Sequence, residues 1–236
     1  MPGNERNNSI TNRSAYYAQC KALAREKRVE HEVETASLNI LVMQKIYKKE
    51  GIILDRRPLR SNRIRAAYYC EDGECSVLLK AGLPLEPKLF ALAHELKHHY
   101  LDQDQIQEGR IQCGDYNAQE VIEIGGEVFA AEFIYPELEM RQLISQMGIT
   151  NLTCTKEKVV EFKRACSAHV SYIFIVKRFE RFGLCPRGAF QKIQFKKLEE
   201  ELFGLPIYKQ EWFKQHRSRK KSSKSKRDGS RTIIRK

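Results

Sequence analysis

Along "LFALAHELKHHYLD" the apolar residues Leu89, Leu92, Ala93, Leu96 and Tyr100 recur at helical spacing and form one core stripe. Glu86-Pro87 gives that helix its start, because proline is tolerated in a first turn. Downstream, "NAQEVIEIGGEVFAAEFIYP" predicts a second helix, with Asn117 as N-cap and Pro136 as its end. Val121, Ile124, Val128 and Phe129 supply its apolar contacts. Ahead of both, residues 13–30 read as an exposed charged helix. Residues 34–49 read as an amphipathic helix carrying Leu38, Leu41, Val42 and Ile46. A short strand is expected near 52–54. A hairpin pairing 65–70 with 75–80 is expected around the turn "EDGE". Cys70 and Cys75 flank that turn and read as ordinary thiols.

From Pro136 to Leu205 the pattern is helical and contains no repeat. Within it, "KEKVVEFKRACSAHVSYIFIVKRFERFGL" has the rhythm of a helix-turn-helix: one helix, a short "CSAH" turn, and a second helix ending at Gly183. Phe174, Ile175, Phe179 and Phe182 read as core. Only Lys177, Arg178 and Arg181 are left as basic contacts, so helical packing without DNA contact is expected.

The first of the two central helices also carries chemistry. The chain has six histidines, and three of them lie between His94 and His99. His94, Glu95 and His98 spell H-E-x-x-H. Positions i and i+4 stack on one helix face, so two imidazoles can close on one tetrahedral ion such as Zn²⁺. Glu95, one residue along, can hold a water at the metal without binding the metal itself. His99 stands four residues from Glu95 and reads as structural. A third ligand must come from elsewhere. The "HYLDQDQ" after His98 excludes the metzincin continuation, and His169 lies far along the chain, which favours a carboxylate. Glu120, Glu123 and Glu127 share one face of the second helix, at i, i+3 and i+7. Gly125-Gly126 in mid-helix costs roughly 1 kcal/mol per glycine relative to alanine. Close approach to the H-E-x-x-H helix would explain that cost and would aim the carboxylate face at the histidines.

"ALAHELKHHYLD" followed by "VIEIGGEVFAAEFIYP" resembles the ImmA/IrrE family of zinc-dependent peptidases. The likeness runs over roughly residues 35–205, with its specific motifs between Ala91 and Pro136. It implies an α+β chain with a minimal zincin fold: a small antiparallel sheet, two active-site helices, then a helix-turn-helix-like region. It places the third zinc ligand at Glu123, with Gly126 at the family's small position and Glu127 where the family usually has Asn or Asp. Glu95 would be the general base of peptide hydrolysis. Glu120, Glu127 and Asp102 are the candidate carboxylates to receive the remaining ring N–H groups of His94 and His98. Tyr100 and Tyr116 are candidates for stabilising the oxyanion. The resemblance further implies a protein substrate, a DNA-binding helix-turn-helix repressor whose cleavage relieves repression in a stress response or mobile element. Two alternatives stand beside it: a non-catalytic DNA- or protein-binding regulator of the same fold, and a peptidase toxin.

Composition sharpens the organisation. The chain has 236 residues and a formal net charge of +12. Eleven of its 42 Lys/Arg and one of its 30 Asp/Glu fall between Lys214 and Lys236, so the rest of the chain is nearly neutral. That tail reads as disordered and suited to nucleic acid or an acidic partner. The expected division is a 1–33 extension, a 34–136 metallopeptidase domain, a 137–213 helical region and a 214–236 basic tail. The polar start "MPGNERNNSITNRS" has no apolar core of a signal segment, and no apolar run reaches membrane-spanning length. Seven cysteines without regular spacing suggest reduced thiols in a cytoplasm.

Overall fold

The computed structural model describes residues 12–59, 64–111, 120–206 and 209. Asn117, Tyr116 and the basic tail 214–236 lie outside them. The order is α1 (Arg13–Glu30), α2 (Ile40–Lys49), β1 (Ile53–Arg57), β2 (Ala66–Glu71), β3 (Glu74–Lys80), α3 (Leu85–Leu101), α4 (Gln103–Gln107), α5 (Glu120–Ile134), α6 (Glu137–Gln146), α7 (Lys156–Ala165), α8 (Tyr172–Arg181) and α9 (Phe195–Phe203). The chain is therefore α+β, consistent with a minimal zincin-like domain.

The sheet has the order β1-β3-β2. β2 and β3 form the expected hairpin. Its two central turn residues, Asp72 and Gly73, have φ of +50° and +81°, the positive values that a two-residue type I′ turn requires. β1, however, pairs with β3 in parallel, Ile53 opposite Ser76, so the sheet is mixed and not antiparallel as expected. The hairpin fills one side of β3 and leaves β1 the other. The direction of that pairing is a long-range choice that no local pattern encodes. The turn also sets Cys70 opposite Cys75, with Cα atoms 4.2 Å apart and the sulfurs joined as a disulfide. This corrects the reading of two ordinary thiols.

Two helix expectations change as well. α2 begins at Ile40, because the Asn39 side chain accepts hydrogen bonds from the Leu41 and Val42 N–H groups and caps the helix there. Met43, Ile46 and Tyr47 form its buried face, while Leu41 is exposed. α1 is not an exposed helix: it packs along α5 and buries Cys20, Ala24 and Arg28 at four-residue intervals. Two small residues and an arginine do not read as an apolar stripe, which is why the burial was hidden.

α5 lies between α1 and α3 and is the central helix. It buries Val128, Phe129, Phe133 and Ile134. At about 1.5–3 kcal/mol per large apolar side chain, this outweighs the cost of its two glycines. Its C-terminal end is held by arginines. Arg28 Nη1 donates to the Phe133 carbonyl at 2.5 Å and Arg178 Nη2 to the Tyr135 carbonyl at 2.6 Å, two carbonyls at a helix end that lack helical partners. Both guanidiniums are buried. Glu132, 1% exposed, lies 3.1 Å from Arg25 and 3.6 Å from Arg178. Arg178 is thus a buried structural residue and not the exposed basic contact expected of α8.

Candidate metal centre

α3 and α5 cross so that His94 and His98 from one helix meet Glu123 from the other. His94 Nε2 lies 3.2 Å from His98 Nε2 and 3.1 Å from Glu123 Oε2. His98 Nε2 lies 3.8 Å from Glu123 Oε1. These separations bracket the spacing of about 3.3 Å between ligand atoms on a tetrahedral ion with bonds of roughly 2.0–2.1 Å. All three residues are buried, and together they form a group able to hold a metal.

The surroundings suit a cation. His98 Nδ1 lies 2.7 Å from Asp102 Oδ2, the carboxylate–histidine contact that orients metal-ligating imidazoles. The same oxygen accepts a 2.5 Å hydrogen bond from Lys97 Nζ, which also donates to the Ile122 carbonyl at 3.1 Å. Lys97 is completely buried. Glu95, Glu123 and Asp102 therefore place three carboxylates in the interior against one lysine. A divalent ion would bring the cluster to neutrality, and buried charge is stable only when compensated.

Each glycine of the pair makes room for a different ring. A Cβ on Gly126 would sit 2.6 Å from His94 Cε1, and one on Gly125 would sit 2.6 Å from Tyr16 Cε1. The first lets the His94 ring of α3 lie flat on α5. The second admits α1.

Glu95 is 5% exposed. Burial pushes its carboxyl up from the ordinary range, against the lowering pull of His94, His98 and the Tyr68 backbone N–H. Its Oε2 is buried and has no hydrogen-bond partner among the described residues. For His94, burial opposes the charged form, but the hydrogen bond to Glu123 and the nearby Glu95 carry its pKa above the usual value.

His94, Glu95 and Glu123 line a cleft of about 870 Å³. One side is formed by Ile64, Arg65 and Ala66 at the start of β2, and another by α8 with His169 just ahead of it. The helix that resembled a DNA-reading element thus turns its basic face to this cleft.

The other candidates divide. Asp102 meets His98, as described. Glu127 lines the cleft, but its carboxylate faces Lys177 Nζ at 3.9 Å. Glu120 is exposed at the first residue of α5. Neither is within ion-pair distance of His94 or His98. Tyr100 does not line the cleft; its hydroxyl is 3.1 Å from His31 Nε2. His99 does not serve Glu95 either: its Nδ1 is 3.0 Å from the Tyr68 hydroxyl and its Nε2 is 3.7 Å from Glu50. Sequence reading missed Lys97, although a lysine in the same turn as two histidines and five residues before an aspartate was a usable signal. It also missed Tyr16 and the placement of α8, which carry no local mark.

No curated protein matches the chain. The family model described as Peptidase_M78, the IrrE N-terminal-like domain, matches residues 48–179, more than half of the sequence, and spans α3, α5 and most of α8. Its match covers every member of the His94–His98–Glu123 cluster and Glu95, and the chain belongs to this family of ImmA/IrrE metallopeptidase-like domains.

Proposed function

We propose that the protein is a zinc-dependent endopeptidase whose substrate is a DNA-binding helix-turn-helix repressor. The observation that carries the peptidase reading is Glu95: a buried carboxylate with one oxygen unpaired among the described residues, next to the histidine–glutamate cluster and facing a cleft large enough for an extended peptide. His94, His98 and Glu123 would hold Zn²⁺, and the nitrogen-and-oxygen donor set suits that ion. When bound, the ion supplies Lewis acidity, which polarises a carbonyl and lowers the pKa of a water.

The chain's own residues do the rest. Asp102 fixes the ring of His98, and Gly126 fixes the plane of His94. Glu95 takes the proton of the attacking water and passes it to the leaving amine, and burial favours the protonated intermediate state of this carboxyl. β2 is an edge strand beside α3, so a substrate in extended form would add to it by backbone hydrogen bonds. The repressor as substrate is supported by family membership alone. The basic tail would bring the enzyme to a repressor on DNA by phosphate contacts.

The test is cleavage of purified helix-turn-helix repressors, tried with and without added Zn²⁺. Metal-dependent cutting by the wild type, lost by at least about 100-fold in Glu95→Gln, supports the reading. Cutting that survives this substitution contradicts it.

A further inference from the structure

The charged side chains that line the cleft, four carboxylates and four Lys/Arg, are unevenly paired. Three of the carboxylates are engaged away from the basic rim, and the fourth, Glu127, meets that rim only loosely. Glu95 and Glu123 belong to the metal cluster, Glu86 is held by Lys163 at 2.9 Å, and Glu127 faces Lys177 at 3.9 Å. On the basic side, Arg178 is buried against Tyr135 and Glu132. Arg65, on the strand side, and Arg181, on the helix side, are exposed, and neither has a carboxylate partner among the described residues. Lys177 is also exposed, and its one carboxylate contact is loose. Between these charges the floor is apolar, made by Phe90, Ile134 and Phe174.

We propose that Arg65, Lys177 and Arg181 make the cleft selective for extended peptides that carry acidic side chains beside an apolar one. The apolar side chain fills the floor, and the carboxylates reach the basic rim. Lys177 and Arg181 stand four residues apart on α8, so they share one face and track a single strand of peptide. This inference rests on the peptidase reading only in taking the cleft as the site of a peptide, and it is tested by binding without cleavage.

The probes are fluorescein-labelled peptides of Ala, Leu and Phe carrying Glu, Gln or Lys at the same interior positions. They are titrated by anisotropy into metal-loaded Glu95→Gln protein. Three exposed charge contacts, each worth a fraction of a kcal/mol, predict about ten-fold tighter binding of the Glu peptide than of the Gln peptide. The Lys peptide should bind weakest, and the spread should shrink with added salt. Lys177→Glu/Arg181→Glu should invert the order, and Arg65→Glu alone should reduce it. All three positions are exposed, so these variants should melt like the parent. Equal affinity for the Glu and Lys peptides, an order that survives the reversals, or no binding of any of them overturns the proposal. If the order holds and inverts while the metal-loaded wild type cuts neither these peptides nor any repressor, this inference stands and the endopeptidase reading falls.

Discussion

The imidazole of His94 lies flat against Gly126, so close that a Cβ there would come within 2.6 Å of Cε1 and 2.8 Å of both ring nitrogens. The neighbouring Gly125 bears the same relation to Tyr16. One helix thus carries two adjacent glycines with separable purposes.

Gly126→Ala should move His94 and weaken metal binding by at least about ten-fold, the scale for perturbing an element that orients a ligand. Gly125→Ala should instead push Tyr16 and α1 away, at a cost of about 1–3 kcal/mol for overpacking, with metal affinity nearly unchanged. Chelator competition and urea unfolding on both variants check this. Equal loss of metal affinity in the two would contradict the separation.

Asp102 and Lys97 should act on the metal without touching it. Asp102→Asn should lower metal affinity or activity by about 10–100-fold. Lys97→Met removes the one buried cation beside three carboxylates and should destabilise the metal-free protein by about 3–5 kcal/mol, with much of that recovered on adding Zn²⁺. Glu127→Ala and Glu120→Ala should leave metal affinity within a factor of about two, because neither carboxylate reaches a histidine. Chelator competition decides, and a large effect at Glu127 would contradict the geometry.

What the sequence made legible was set by how local each relationship is. His94 and His98 lie one turn apart on one helix, so spacing alone placed them on one face, with Glu95 one residue along. The hairpin followed from Asp72-Gly73. Glu123 needed the packing of α5 on α3, which the costly glycine pair signalled and the family resemblance located. The parallel pairing of β1, the burial of α1 and the turning of α8 toward the cleft depend on contacts between residues far apart in sequence. Cys20, Ala24 and Arg28 bury a face that looks charged, and Arg178 buries a guanidinium where an exposed one was expected. Apolar periodicity carries no information about such partners.

Arg178 secures the C-terminal end of α5. Arg178→Met should leave the Tyr135 carbonyl without its donor and Glu132 with less compensation, lowering stability by about 3–5 kcal/mol. Denaturant unfolding measures it. A loss below about 1 kcal/mol would mean that Arg25 alone balances Glu132.

Acid stability should report on Glu137, which clamps α6 to α1. Burial opposes its ionisation, but hydrogen bonds from Lys21 at 2.7 Å and Arg141 at 2.8 Å hold its pKa down to about 2. A depressed carboxyl contributes stability that is fully present above its unfolded pKa of about 4.3 and is lost as pH falls toward the folded value. The stability difference between wild type and Glu137→Gln should therefore be constant near neutrality and shrink between roughly pH 4 and pH 2. A difference that does not change with pH would contradict the clamp.

The central claim is that His94, His98 and Glu123 hold one metal ion beside Glu95. Its most direct test is elemental analysis of the purified protein and four variants. The wild type and Glu95→Gln should each carry about one Zn²⁺ per chain, while His94→Ala, His98→Ala and Glu123→Ala should each lose most of it. Full zinc content in a His94→Ala/His98→Ala double variant, or loss of zinc from Glu95→Gln alone, would contradict the account.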